Sequence, residues 1–176
     1  MDIVDKLNRK LLKQDFIPRG KAAYQEELEM YKGIARGYAV MENAVAVLSD
    51  MRSDFSYIYY GGFARTLGLA GSVSAEQVDS IWEENILRLI HPDDLHEKYL
   101  QELRFLHWIS RLPEKNRKDY YLSSRLRMRD ASGNYQPALH RMFYVPLPGT
   151  VACGLPCACI TRCLRSFRKV VWWYMR

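Results

Sequence analysis

Ile90-His91-Pro92-Asp93-Asp94-Leu95 is the stretch of this chain where side chains able to do chemistry stand closest together. A histidine beside two carboxylates could ligate a metal or share acid–base work. The same residues also spell the start of a helix. Pro92 suits the first helical position, where a missing N–H costs nothing. Asp93 and Asp94 set negative charge against the positive end of the helix dipole, and His91 falls at the cap. Capping is the simpler reading. The other histidines, His96, His107 and His140, are scattered, and there is no H-E-x-x-H, G-x-S-x-G or P-loop pattern. No catalytic residue and no metal ligand is therefore assigned, and an enzyme in its own right is not expected.

The remaining reactive groups sit at the far end. Cys153, Cys157, Cys159 and Cys163 are spaced C-x3-C-x-C-x3-C. Structural zinc sites present C-x2-C or C-x4-C pairs, so free thiols are expected and a disulfide framework is not. The formal charge is +6, yet residues 1–130 carry 20 acidic and 20 basic side chains. The excess is Arg141, Arg162, Arg165, Arg168, Lys169 and Arg176, so the basic character belongs to the C-terminal end and not to the body. With Trp172, Trp173 and Tyr174 that end could meet phosphate or a membrane surface; an incidental basic tail is the plainer reading. No apolar run approaches the roughly 20 residues of a membrane span. The N-terminus lacks the basic-then-apolar order of a secretory signal. A cytoplasmic domain with a real core is expected.

The elements that must position these groups follow from periodicity. Ile3, Val4, Leu7, Leu11 and Leu12 recur at helical spacing, and Phe16-Ile17-Pro18-Arg19-Gly20 breaks that helix. A second helix is expected over Lys21 to Met41. Its Tyr24, Leu28, Tyr31, Ala35 and Tyr38 step by four and three residues, a heptad seam suited either to the helix's own domain or to a second copy. Ala44–Leu48 and Phe55–Tyr60 flank a polar turn and read as two antiparallel strands. Phe63 to Leu69 reads as a short helix closed by Gly68 or Gly71. Ser74-Ala75-Glu76-Gln77 is a capping-box pattern that predicts a helix carrying Val78, Ile81, Trp82 and Leu87. After Pro92, the positions Leu95, Tyr99, Leu103, Leu106 and Ile109 predict a long helix, and Glu114–Asp119 a solvated loop. Tyr120–Arg129 alternates, with Leu122, Ser124, Leu126 and Met128 on one face and Arg125, Arg127 and Arg129 on the other, which predicts a half-buried antiparallel strand. Asp130–Asn134 is a turn, and Tyr135–Val145 the return strand, in which Pro137 suggests an edge or a bulge.

Helix, helix, strand, strand, helices, strand, strand is an α+β order with one antiparallel sheet and helices on one face. Phe55-Ser56-Tyr57-Ile58-Tyr59-Tyr60-Gly61-Gly62-Phe63-Ala64-Arg65-Thr66-Leu67-Gly68-Leu69 resembles the second strand and first helix of a PAS domain. Ile90-His91-Pro92-Asp93-Asp94-Leu95 resembles its helix-start motif, and Arg125 to Tyr135 the hairpin before its last strands. The resemblance covers residues 40 to 147. With its helical lead-in, the chain is similar to the sensor half of LuxR-type bacterial transcription regulators. The implied division is a lead-in at 1–41, a PAS-like sensor at 42–147, and an atypical basic, cysteine-containing tail at 148–176. PAS domains have five strands. Here the fifth is expected to be missing or disrupted, because Gly154 and Pro156 fall where a central strand belongs. A shifted frame through Gly154–Thr161 can encode Leu-Ala-Leu-Cys-Leu-Tyr-Asn, so a frame-shifted or truncated tail from about Gly149 is the expectation.

The resemblance implies a sensory and dimerising module. A small-molecule signal would occupy a pocket between sheet and helices, with Tyr57, Tyr59, Trp82, Leu106, Leu126, Met142 and Tyr144 as candidate lining; the plainer reading is that these residues fill the core. No cofactor is assigned. The body has no cysteine matching that of flavin-binding light sensors, and His96 and His107 read as surface histidines, not haem ligands. A homodimer through the seam Tyr24, Leu28, Tyr31, Ala35, Tyr38 is expected. DNA would be met only through a helix-turn-helix of about 60 residues that these 176 do not contain. The alternatives are a sensor fragment of a signalling enzyme such as a histidine kinase, and a nucleic-acid binder acting through the basic tail.

Overall fold

The computed structural model describes residues 3–12, 21–69, 74–145, 155–163 and 172–175. The breaker run Phe16–Gly20, Gly71, residues 148–154 with Cys153, and Arg165, Arg168, Lys169 and Arg176 lie outside them. In chain order the elements are α1 (Ile3–Leu12), α2 (Lys21–Met41), β1 (Val45–Asp50), β2 (Phe55–Tyr60), α3 (Gly62–Thr66), β3 (Ala75–Val78), α4 (Glu84–Leu87), α5 (Pro92–Ile109), α6 (Glu114–Arg117), β4 (Tyr120–Arg129), β5 (Tyr135–Val145), β6 (Leu155–Arg162) and β7 (Trp172–Met175). The strands form one antiparallel sheet in the order β3-β2-β1-β6-β5-β4-β7.

The α+β class holds, and the fifth strand corrects the expectation. Leu155–Arg162 is a formed strand at the centre of the sheet, between β1 and β5. Pro156 is tolerated because the β1–β6 ladder runs only from Val45↔Ile160 to Leu48↔Cys157. Pro156 sits one residue past its end, so its missing N–H removes no bond to β1. Residues 155–162 therefore belong to the sheet. Pro137 is likewise neither on an edge strand nor in a bulge. It pairs with Arg127, one residue beyond the last β5–β6 strand pair, Ala138↔Arg162.

The capping-box reading of residues 74–77 is also corrected. Ala75–Val78 extends the sheet beside β2, with Ser56↔Val78 and Tyr59↔Ala75 in register. Its side chains are largely exposed, and the Glu76 carboxylate accepts from the Tyr60 hydroxyl at 2.6 Å. Edge pairing with a ready strand outweighs the local capping signal, even with Val78, Ile81 and Trp82 at helical spacing behind it. The segment 114–117, expected as loop, makes one helical turn whose Arg117 donates to the Leu112 and Ser110 carbonyls at 3.0 and 3.1 Å.

Period two sorts the sheet into two apolar faces. On one, Val45, Val47, Ile58, Leu126, Met128 and Ile160 pack with Phe63, Ala64, Leu67, Ile86 and Leu89. Beside them Leu122, Met142 and Tyr144 meet Leu7 and Leu11 of α1 and Tyr99, Phe105, Leu106 and Ile109 of α5. On the other face, Ala46, Leu48, Tyr59, Leu155 and Cys159 are covered by α2. The helices between β2 and β4 thus lie on one face, as expected, while the lead-in splits: α1 joins that face and α2 takes the opposite one.

The proposed seam of α2 is spent on this second face. Leu28 and Ala35 are buried, and Tyr24, Tyr31 and Tyr38 pack at the margins of the same cluster. Tyr24 donates to the buried Asp50 carboxylate. These five residues are therefore not a free dimer seam, because the sheet beneath them is apolar and its small Ala46 and Cys159 let the helix approach. Asn43 ends the helix with φ 51°. Gly61 lets the chain pass there: a Cβ on it would fall 2.1 Å from the Ala39 carbonyl oxygen. No helix among the described residues is long and apolar enough to cross a membrane.

Candidate functional site

The helix start at His91 is an architectural joint. The His91 ring accepts from the Asp93 amide at 3.3 Å, with Pro92 in the first turn. Asp94 is buried, and its carboxylate takes the Arg127 backbone N–H at 2.8 Å and two guanidinium N–H groups at 2.9 and 2.7 Å. His91 N–H donates to the Arg127 carbonyl and Arg129 N–H to the Leu89 carbonyl, at 2.9 and 2.7 Å. The stretch fastens α5 to β4. His96 and His107 are exposed on α5, as expected of surface histidines.

The polar groups that converge lie elsewhere, between α5 and the helix-covered sheet face. On that face β1 and β2 present Ser49 and Ser56 in register with Val47 and Ile58. Both hydroxyls reach the Glu83 carboxylate, Ser49 at 3.2 Å. Glu83 is held above the usual carboxylate range by its burial, against which the serine hydrogen bonds act. Across from it, Lys98 and Glu102 stand one turn apart on α5 and pair at 2.7 Å, with side chains only 10% and 9% exposed. His140 on β5 points to the same place. Its Nε2 is 3.7 Å from Glu102 Oε1 and its Nδ1 3.2 Å from the Ser124 hydroxyl. Burial first, and the Lys98 charge second, push His140 down to about 3, so the ring is neutral at pH 7. The nearby Glu102 does not reverse this, because Lys98 already answers that carboxylate.

Around this cluster runs a cavity of about 60 Å³, lined among others by Leu7, Leu11, Met51, Trp82, Met142 and Tyr144. That volume holds about two waters and falls well short of an organic-ligand pocket. Trp82 is fixed by donating to Asn8 of α1 at 3.1 Å and by a T-shaped contact with Tyr99. Three candidate pocket residues, Trp82, Met142 and Tyr144, are therefore brought together here. The rest are not. Tyr57 and Tyr59 point to the α2 face, since odd positions of β2 face away from Ser56 and Ile58; Leu106 and Leu126 are packed in the core. Among the described residues no group of three or more potential ligands could hold a metal.

The sequence reading missed Ser49, Ser56, Glu83, Lys98 and Glu102. The signal was present for some of them. Glu102 falls between Tyr99 and Phe105 on the buried stripe of α5, and Lys98 precedes it by four residues, the spacing of a helix ion pair. Nothing local marks Glu83.

Five strands in the order β2-β1-β6-β5-β4, with α3, α4 and α5 packed on one face, give the frame that holds these groups. This is the antiparallel sheet with helices packed on it that the resemblance to PAS domains implies. No family profile matches the chain, and no curated protein matches it. Among solved structures it is similar to an RNA-binding light-oxygen-voltage receptor, at 13% identity over 71% of this chain and 32% of that one, with a TM-score of 0.45. It is also similar to a sensory box histidine kinase/response regulator from Burkholderia thailandensis, at 14% identity over 71% of this chain and 80% of that one, with a TM-score of 0.41. The chain thus spans about a third of the length of the first of these proteins.

Proposed function

We propose that this chain is a sensory module acting in a regulator similar to the LuxR type, with signal input at the buried cluster of the PAS-like core. One observation carries the reading: Glu83, Lys98 and Glu102 line one cavity, and the buried His140 stands behind Glu102, 3.7 Å from its carboxylate. Buried ion pairs contribute little to stability compared with well-packed apolar side chains, whereas perturbed ionisable groups beside a cavity are a mark of functional sites. A small polar or anionic signal that displaces cavity water and engages Lys98 would loosen the Lys98–Glu102 pair and shift the balance between two packings of α5 on the sheet. DNA contact belongs, in this reading, to a helix-turn-helix beyond these residues.

Homodimerisation is part of the proposal, through the outward face of α2. Met30, Ile34 and Met41 are 51%, 55% and 86% exposed, and with Gly37 they step by four, three and four residues along one stripe. A second copy laid on that stripe would couple the two sheets through α2.

The test is a thermal-shift screen of polar species of a few heavy atoms, such as formate, nitrate and bicarbonate, on the wild type and on Lys98→Met, followed by hydrogen exchange. The reading expects a ligand that stabilises the wild type, fails on Lys98→Met, and changes amide protection in α5. A ligand that stabilises both proteins equally would move the input away from the cluster. Sedimentation of wild type and Ile34→Glu tests the dimer: a monomeric wild type, or a dimer indifferent to Ile34→Glu, removes α2 as the interface.

A further inference from the structure

Cys157 and Cys159 stand two residues apart on β6 and share the α2 face of the sheet. Neither is in a disulfide. Cys159 is only 1% exposed, and its thiol is hydrogen-bonded with that of Cys157. Both line a crevice of about 290 Å³ between α2 and strands β5 and β6, on the side of the sheet opposite the buried charged cluster. Its other walls are mostly aromatic: Tyr31 and Tyr38 from α2, Tyr120 from β4 and Phe143 from β5, with the exposed Ile34 and Lys118 among the lining.

Two thiols in contact beside an aromatic hollow make a chelating site for a soft element that takes two sulfurs at once. We propose that this crevice binds aryl-substituted trivalent arsenicals, with arsenic bridging Cys157 Sγ and Cys159 Sγ and the aryl group lying among Tyr31, Tyr38 and Phe143. The step balances without an oxidant or a reductant. Two As–S bonds form, the arsenic–oxygen double bond of the arsenoxide is lost, both thiol hydrogens leave with that oxygen as one water, and arsenic stays trivalent. Strand geometry favours such a bridge over a direct disulfide. Alternate residues on a strand are separated by a rise of about 6.6 Å, whereas a disulfide draws its Cβ atoms to about 3.8 Å. An interposed arsenic lengthens the link and lets both sulfurs keep their strand positions.

The experiment uses the full folded chain and one equivalent of phenylarsine oxide, read by intact mass, thiol titration and peptide mapping. One phenylarsenic per chain is expected, with two of the four thiols consumed and both on the peptide that carries Cys157 and Cys159. Cys157→Ser and Cys159→Ser should each abolish stable uptake, while Cys153→Ser and Cys163→Ser keep it. A small dithiol in excess should reverse the adduct. The oxidant diamide should yield no Cys157–Cys159 disulfide. Arsenic mapped to Cys153 or Cys163 in the wild type, or no uptake by the folded chain, overturns the proposal. The wild-type mapping decides this even where a serine variant fails to fold.

Discussion

Replacing His140 with Gln should change how stability depends on pH. In the folded chain the ring is fully enclosed by β4, β5 and α5, with Ser124 and Glu102 as its polar neighbours and the Lys98 charge close by. Protonating it would place a second cation beside Lys98 in a medium that solvates neither. The folded ring therefore resists protonation down to about pH 3, while the unfolded ring takes its proton near 6.5. The sign follows from linkage. A depressed folded value means stability that is fully present above the unfolded value and is lost as pH falls toward the folded one. Through that window the unfolded state binds one more proton, and unfolding is favoured by about 1.4 kcal/mol per pH unit. Between pH 6 and pH 5 the loss is about 1.2 kcal/mol, because part of the unfolded population is already protonated at pH 6.

The assay is urea unfolding of wild type and His140→Gln at pH 7, 6, 5 and 4.5. The variant loses packing and hydrogen bonds at every pH, so the quantity that matters is the difference between the two curves. That difference should shrink by about 1.2 kcal/mol from pH 6 to pH 5 as the wild type gives up its advantage. Glu83, raised by burial, acts with the opposite sign: it favours the fold below its unfolded value and withdraws that support as pH rises through its folded value. Glu83 is present in both proteins and drops out of the difference. Parallel curves would refute the reasoning, for they would mean that the folded ring takes up protons at an ordinary pH and that water reaches the cluster.

Other substitutions test the frame around this site. Asp94→Ala removes three hydrogen bonds to a buried carboxylate and leaves the Arg127 backbone N–H without that acceptor, while the half-exposed guanidinium keeps Asp93 at 3.5 Å, so it should lower unfolding free energy by about 2 kcal/mol; Asp93→Ala, on an exposed carboxylate, should cost about 1 kcal/mol or less, and equal losses in urea titrations would contradict the joint between α5 and β4. Gly61→Ala drives a Cβ against the Ala39 and Ala44 carbonyls, and should cost about 3 kcal/mol or prevent folding, visible as lost far-UV ellipticity. Glu83→Gln removes the buried carboxylate and keeps an acceptor for Ser49 and Ser56. It should melt no lower than wild type at pH 7 and gain relative to it as pH rises, because the wild type alone loses Glu83's contribution there.

Periodicity carried the regular elements. The helix Lys21–Met41 and the strands Phe55–Tyr60, Tyr120–Arg129 and Tyr135–Val145 have the expected bounds, because each shows a sustained 3.6- or two-residue pattern that burial then respects. Short segments failed where tertiary pairing decides. Ala75–Val78 looks like a capped helix until β2 offers it a free edge. Leu155–Arg162 looks too broken for a central strand until its register puts Pro156 past the β1 ladder. The site was legible only in fragments. Trp82, Met142 and Tyr144 could be named as pocket residues because they are large and face inward. Glu83 could not, because its neighbours Ser49 and Ser56 are 34 and 27 positions away and nothing in the local sequence records that contact.

The placement of β6 bears on how the basic C-terminal end can be studied. This strand is the sole ladder between the halves β3-β2-β1 and β5-β4-β7 among the described residues. Without it, Val45–Leu48 and Ala138–Val145 would each become an open edge, and the apolar bed under α2 would lose Leu155 and Cys159. A chain cut before Leu155 would therefore report on folding, and any loss of nucleic-acid binding in it would say nothing about the arginines that follow. Charge substitutions keep the two apart. Arg162 is exposed at the end of β6, so Arg162→Gln removes a cation and leaves the ladder and the core contacts intact. A direct role for this end in phosphate binding requires that such a change lower affinity and flatten its salt dependence with the melting transition unmoved.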